Sequence, residues 1–508
     1  MYSLLKNTPF WAQIAIYLGV ILRLKEYLAD RSLWLDEAAF ALFIIQRSFW
    51  ELTQQMDPVY ATIGFFWLEK LAVVIFGGSE LSLRFFPLLS GISSVILFYK
   101  VAGYFVSPKT AVFSTFIFSI LDSLIYYSSE VKQYSFDLFI ALLIYFLVLK
   151  YFPKNIWILI GIGVISIWFS HPAIFVLAGL GLTLTFYSLF SKNWADFKKI
   201  IFIQVLWGLS FLASYLTTIK LGLEGNQGLI GFWSFAFAPL PKSQEDLTWY
   251  FNAFVNFMIN PLNFSWPRRG LIIVLIGASI LLRKNKLKLA LLTSPLVLTL
   301  ITSSLHVYPF IGRFLLFLVP SLLIMFAQGV EFIESYVQKA TPSVRVGSQG
   351  DTFRSYIIYS LFIILFFYKT IISDINYLTH SRVSEDMESV VQYYKSKHQE
   401  DDLVYLYYAA APGFRYYSQK LGLKSAVIMG ISSSEKLAEY AQDMEKLKGS
   451  RRIWFVFSHV ANVKGIPDVT EEQFFISKLD RMGKKLDEYH TTGASIYLYD
   501  LAKSSHSP

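Results

Sequence analysis

Apolar runs recur along most of the chain with polar residues gathered between them, each run close to the roughly 20 residues that cross about 30 Å of hydrocarbon. Runs at 10–28, 84–104, 110–127, 134–151, 155–170, 172–190, 200–219, 270–282, 287–305, 312–330 and 355–373 predict membrane-spanning helices, eleven in all. A further stretch at 58–77, PVYATIGFFWLEKLAVVIFG, has a different character, because Glu69 and Lys70 sit near its middle. A charge at mid-bilayer costs about 2.5–3.5 kcal/mol on the insertion scale, so this segment is expected to lie along the interface as an amphipathic helix. From Asp374 the pattern changes: 403–409, 426–430, 452–459 and 494–501 read as strands, and 386–399, 412–421, 434–448 and 471–485 as helices. That alternation predicts a small α/β domain with a mostly parallel sheet.

The fold class expected is therefore an α-helical polytopic membrane protein, with a membrane domain at 1–373 and a C-terminal extracytoplasmic α/β domain at 374–508. The basic residues set the orientation. They fall in alternate short connections: Lys109; Lys150 and Lys154; Lys192, Lys198 and Lys199; Arg283, Lys284, Lys286 and Lys288; Lys339, Arg345 and Arg354. Such connections are cytoplasmic. Counting back from Lys109 puts 77–84 outside, and a cytoplasmic N-terminus with Lys6 puts 29–57 outside, so both ends of 58–77 are external. The first apolar run lacks a small-residue cleavage site after it and reads as a retained span. The outer face then carries 29–83, 127–133, 170–172, 220–269, 306–312 and everything after about 374.

Composition narrows the chemistry. The 508 residues are 55% hydrophobic and only 16% charged, which agrees with a multi-pass membrane protein, expected in the plasma (inner) membrane. There is no cysteine, which excludes disulfides, thiolate catalysis and cysteine-held metals, and the seven histidines show no HxxxH or HExxH spacing. The net charge of +9 is accounted for by cytoplasmic loops and needs no nucleic acid. No GxGxxG or GxxxxGK[ST] follows any predicted strand, so nucleotide binding has no support.

Ionisable residues on the outer face are the candidates. Asp36 and Glu37 lie in RSLWLDEAAF; they read either as an acidic catalytic pair or as carboxylates favoured by a helix dipole, worth about 0.3–1 kcal/mol. Glu130, Lys132 and Tyr134 share a short turn in YYSSEVKQYSF, where a solvated Glu130–Lys132 pair is the alternative. Arg313, in HVYPFIGRFLLFLVP, opens a span and is either a snorkelling interfacial residue or a phosphate ligand. His171 and His306 also lie at outer turns. Acidic sites and fixed cations in one layer suit chemistry on a lipid-linked phosphate: cations hold the leaving phosphate and a carboxylate deprotonates an acceptor hydroxyl.

The pattern LWLDEA, the Asp57-Pro58 step, FGGSELSLRFFPLLSG with Arg84, YYSSEVKQYSF, SHPA with His171, and YPFIGRFLLFLVP with Tyr308 resembles the GT-C glycosyltransferases of family 39, the protein-mannosyltransferase and aminoarabinose-transferase relatives. The likeness covers about 1–330 in collinear order. It implies a GT-C-like membrane domain with outer juxtamembrane helices, and transfer of a sugar, usually with inversion, from a polyprenyl-phosphate donor to a lipid, glycan or protein acceptor. Carried over, Asp36 stands at the first-loop catalytic acid with Glu37 beside it, Glu130 at the second-loop acid, and Lys132, Tyr134 and Arg313 at the donor-phosphate positions. Asp57, Arg84, His171 and Tyr308 are further candidates. Lys132 departs from the family's arginine, and Val59-Tyr60 from its second proline. Metal use stays open: Asp36 and Glu130 are the carboxylates for Mg²⁺ or Mn²⁺ if one is bound. The alternatives are a lipid-linked saccharide transporter or flippase and a non-catalytic envelope scaffold. Transporters place ionisable groups near the midplane, whereas here they gather at the rim.

Overall fold

The computed structural model describes residues 8–54, 61–225, 227–340, 348–432, 437–464, 466 and 468–502. They fall into two compact units: a helical unit of 1–29, 47–77 and 81–380, and a sheet unit of 30–46, 78–80 and 381–508. The stretch 29–83 is thus divided between the two units. Its segment 30–46, which carries Asp36, belongs with the C-terminal sheet.

Seven helical stretches of the helical unit, among the described residues, are long and apolar enough to cross a membrane: Phe85–Phe105, Tyr134–Tyr151, Ala173–Phe190, Trp194–Gly222, Lys286–Ser304, Gly312–Lys339 and Arg354–Thr379. The other predicted spans differ for readable reasons. Helix Phe10–Leu28 carries Arg23, Lys25 and Glu26 in its last turns, and helix Pro267–Lys284 has charges at both ends. Helix Ile156–Phe169 is short. The run at 110–127 is not one helix but two, Pro108–Ile120 and Asp122–Tyr127, broken at Leu121. The buried guanidinium of Arg23 explains the break, since it donates to the carbonyls of Ser119 (3.2 Å) and Phe118 (3.5 Å), which a continuing helix would have used.

Gly312–Lys339 forms the core of this bundle, with 83% of its apolar window buried. Helix Pro267–Lys284 crosses its second half, Val319–Ala340, at glycine on both sides: a Cβ on Gly277 would lie 1.8 Å from the Met325 carbonyl oxygen, and one on Gly329 would lie 2.2 Å from that of Ile273. Only bare backbone permits that approach. The segment expected at the interface forms helix Ile63–Phe76 and is not among the long apolar helices. Its Glu69 is fully buried, both carboxyl oxygens lack a hydrogen-bond partner among the described residues, and burial pushes the carboxyl well above the usual range.

The sheet unit holds five strands, β1 (Leu403–Leu406), β2 (Ala426–Met429), β3 (Ile453–Ser458), β4 (Lys484–Thr491) and β5 (Ala494–Asp500), in the order β2-β1-β3-β5-β4. β2, β1 and β3 run parallel; β5 and β4 are antiparallel additions, so the sheet is mixed where a mostly parallel one was expected. β3 is buried along its whole length, which is why it reads as an unbroken apolar run. β4, KKLDEYHT, escaped sequence reading because it is a polar edge strand. Helix Leu35–Gln46 packs against helix Ala411–Lys420 within this unit.

Candidate active site

In the helical unit the turn after Tyr127 carries Ser128, Ser129 and Glu130, all fully buried, followed by a nearly buried Lys132. The turn is tight: the Lys132 backbone N–H reaches the Glu130 carbonyl at 2.7 Å. Tyr134 then opens helix Tyr134–Tyr151. Arg313 enters from the short 3₁₀ segment Gly312–Leu318, where Gly312 at φ +44° takes a left-handed turn that an L side chain resists. Its guanidinium carbon lies 5.4 Å from the Tyr134 ring centroid and 5.8 Å from that of Trp233. The rings of Tyr127 and Tyr134 stand 5.4 Å apart, edge to face, and the charges of both Glu130 and Arg313 act on the Tyr127 hydroxyl. The structure therefore brings together Glu130, Tyr134 and Arg313, with Lys132 in the same turn.

Tyr308 lies beside this group. Its hydroxyl donates to the Phe314 carbonyl at 2.9 Å, its ring packs 5.0 Å from Phe175, and burial, with the Asp137 charge next, raises its pKa well above the usual value. It stays a neutral donor. Burial pushes His171 down to about 4, so its imidazole is uncharged at neutral pH. Arg84 is fully buried at the N-cap of helix Phe85–Phe105. Asp57 lies outside the described residues. Sequence reasoning missed Trp233 and Asp137. Asp137 is buried in the first turn of helix Tyr134–Tyr151, its Oδ1 without a hydrogen-bond partner among the described residues. The available signal was a carboxylate three residues after Tyr134 at the head of an apolar run.

The sheet unit separates Asp36 from Glu37. Glu37 is fully buried and ion-paired to Arg31 at 3.5 Å, whereas Asp36, one position earlier in the first turn of helix Leu35–Gln46, is partly exposed. The approach to this helix is pinned: Leu33 N–H donates to the Tyr417 hydroxyl at 2.8 Å, and Glu388 N–H donates to the Ser32 hydroxyl at 3.3 Å. Among the described residues no group of three or more His, Cys, Asp or Glu side chains is placed to hold a metal ion.

No family model matches the chain, and no curated protein matches it. Solved structures do. ArnT from Cupriavidus metallidurans bound to undecaprenyl phosphate aligns over 96% of this chain and 97% of its own, with 11% identity and a TM-score of 0.55. The archaeal oligosaccharyltransferase AglB from Archaeoglobus fulgidus, in complex with an inhibitory peptide and a dolichol-phosphate, aligns over 96% of this chain and 74% of its own, with 11% identity and a TM-score of 0.54. A second Archaeoglobus fulgidus oligosaccharyltransferase structure, with Zn and sulfate, gives 12% identity over 97% of this chain and 73% of its own, at a TM-score of 0.56. This chain shares the fold of these structures, its described residues forming a helical unit and a small C-terminal sheet unit. At these identities the likeness is one of fold.

Proposed function

We propose that this protein is a membrane glycosyltransferase, of the family 39 kind, that moves a hexosyl or pentosyl group from a polyprenyl-phosphate donor to an acceptor hydroxyl on the extracytoplasmic face. The reading has the N-terminus cytoplasmic and the sheet domain outside. In the proposed step the acceptor oxygen attacks the anomeric carbon and the bond from that carbon to the phosphate oxygen breaks. Its electron pair leaves on the phosphate, and the acceptor proton passes to Asp36. Attack opposite the leaving group inverts the anomeric configuration. Arg313 and Lys132 hold the phosphate as its charge grows, with the Tyr134 and Trp233 rings within cation–π distance of the guanidinium. Glu130 orients this group from the same turn. Glu37, paired with Arg31, holds the Asp36 helix in place.

The observation that carries this reading is the grouping of buried Glu130 and Tyr134 with a partly exposed Arg313 at helix ends, in a fold shared with ArnT bound to undecaprenyl phosphate. The test is purified protein in lipid discs incubated with a panel of undecaprenyl-phosphate hexoses and pentoses. Consumption of one donor and release of undecaprenyl phosphate is expected. Saturable binding of donors with no turnover, in the presence of lipid, glycan and peptide acceptors, would contradict it.

A further inference from the structure

Within the sheet unit the carboxylate of Glu385, itself buried, gathers three donors. Its Oε2 accepts the Leu35 backbone N–H at 3.0 Å and the Ser458 hydroxyl at 2.9 Å, and its Oε1 lies 2.7 Å from His459 Nδ1. Leu35 is the first residue of the helix whose next residue is Asp36. The first N–H groups of a helix have no partner inside it, so an external acceptor there fixes both position and direction. Ser458 ends β3, and His459 follows at φ +51°, turning the chain so that its ring lies 5.9 Å from that of Trp34. The backbone under Glu385 is held as well. Asp386 N–H donates to the Thr492 carbonyl at 2.8 Å, and the turn at Gly493 packs so close that a Cβ there would meet the Ser384 carbonyl oxygen at 2.2 Å.

We infer that Glu385 and His459 are positioning residues for Asp36: the sheet unit sets the direction of the Asp36 helix through the Glu385–Leu35 bond, and His459 locks the carboxylate that makes it. This rests on the proposed role of Asp36 as general base. The sheet is then part of the catalytic apparatus and not an appended module. A misplacement of about 1 Å at a reacting group costs on the order of 10²-fold in rate, so a hydrogen bond one residue away from the base is felt in turnover.

The experiment uses the full chain in lipid discs, with the undecaprenyl-phosphate hexose and pentose panel as donors. Glu385→Ala, Glu385→Gln and His459→Ala are compared singly and combined with Asp36→Asn, following kcat, donor KM, melting temperature and hydrogen exchange of peptides within 30–46. Glu385→Ala and His459→Ala should lower kcat by roughly 10–100-fold with donor KM changed less than about threefold. Exchange at 30–40 should quicken while the rest of the sheet unit stays protected. Glu385→Gln should recover most of the rate, because its amide oxygen still accepts from Leu35 and Ser458. Added to Asp36→Asn, Glu385→Ala should cost nothing further, whereas a general loss of structure would cost the same in both backgrounds.

Should Glu385→Ala fail to fold, His459→Ala carries the test, its side chain being half exposed. Wild-type kcat in the alanine variants, with Asp36→Asn inactive, would overturn the positioning role and leave the base in place. Full activity of Asp36→Asn would overturn the base and the positioning role together. Where no donor of the panel turns over, unchanged exchange at 30–40 in Glu385→Ala overturns the inference by itself.

Discussion

Arg313 owes its placement to two neighbours that differ in kind, the left-handed Gly312 before it and the aromatic pair Tyr134 and Trp233 against its guanidinium. A guanidinium beside aromatic faces offers a planar fork that a lysine ammonium cannot reproduce. If that fork grips the donor phosphate, Arg313→Lys should weaken donor binding by about 10-fold and Arg313→Ala by about 100-fold, since a hydrogen bond to a charged group is worth roughly 1.5–3 kcal/mol. Undecaprenyl-phosphate binding by calorimetry checks this. His171 makes a different prediction. Its pKa falls from 6.5 to about 4 on folding, through burial. The unfolded chain therefore binds a proton first as pH drops, and the stability present above about 6.5 is lost toward 4. His171→Gln should flatten the fall of melting temperature across that window. At this scale the sequence pointed to Glu130, Tyr134 and Arg313 as candidates through the expected topology, and the structure places them together. It did not distinguish Asp36 from Glu37, because adjacent carboxylates in one helical turn differ only in what packs beside them, here Arg31.

Helix Pro267–Lys284 and helix Val319–Ala340 meet at Gly277 and Gly329, where backbone touches backbone. Gly277→Ala should therefore lower the melting temperature, overpacking costing about 1–3 kcal/mol, while Gly103→Ala, with nothing within 4 Å of its added Cβ, should not. Elements with a strong apolar period were legible: most long helices, and β3 with its buried run. Those defined by tertiary partners were not. The break at Leu121 depends on Arg23, which lies far away in sequence and takes the carbonyls of Phe118 and Ser119. Strand β4 is polar and gains its place only by pairing with β5.

Charge placement along the whole chain led to an orientation with 58–77 external, and that orientation is directly accessible because the chain has no cysteine. Cysteines introduced at Ser48 and Ser79 should both react with an impermeant thiol reagent added outside; reaction at only one would refute the arrangement. The shift at Asp374 is visible as a rise in charge, but nothing in RSLWLDEAAF shows that this segment joins the C-terminal sheet through Tyr417, Glu385 and Glu388. Those contacts hold the helix that carries Asp36. The decisive measurement is single-turnover sugar transfer from the undecaprenyl-phosphate donor by Asp36→Asn, with donor binding followed in the same preparation. A general base predicts a loss of roughly 10²–10⁴ in rate with donor affinity little changed. Full transfer by a normally folded Asp36→Asn would contradict it and leave the acidic pair as a feature of the helix N-terminus.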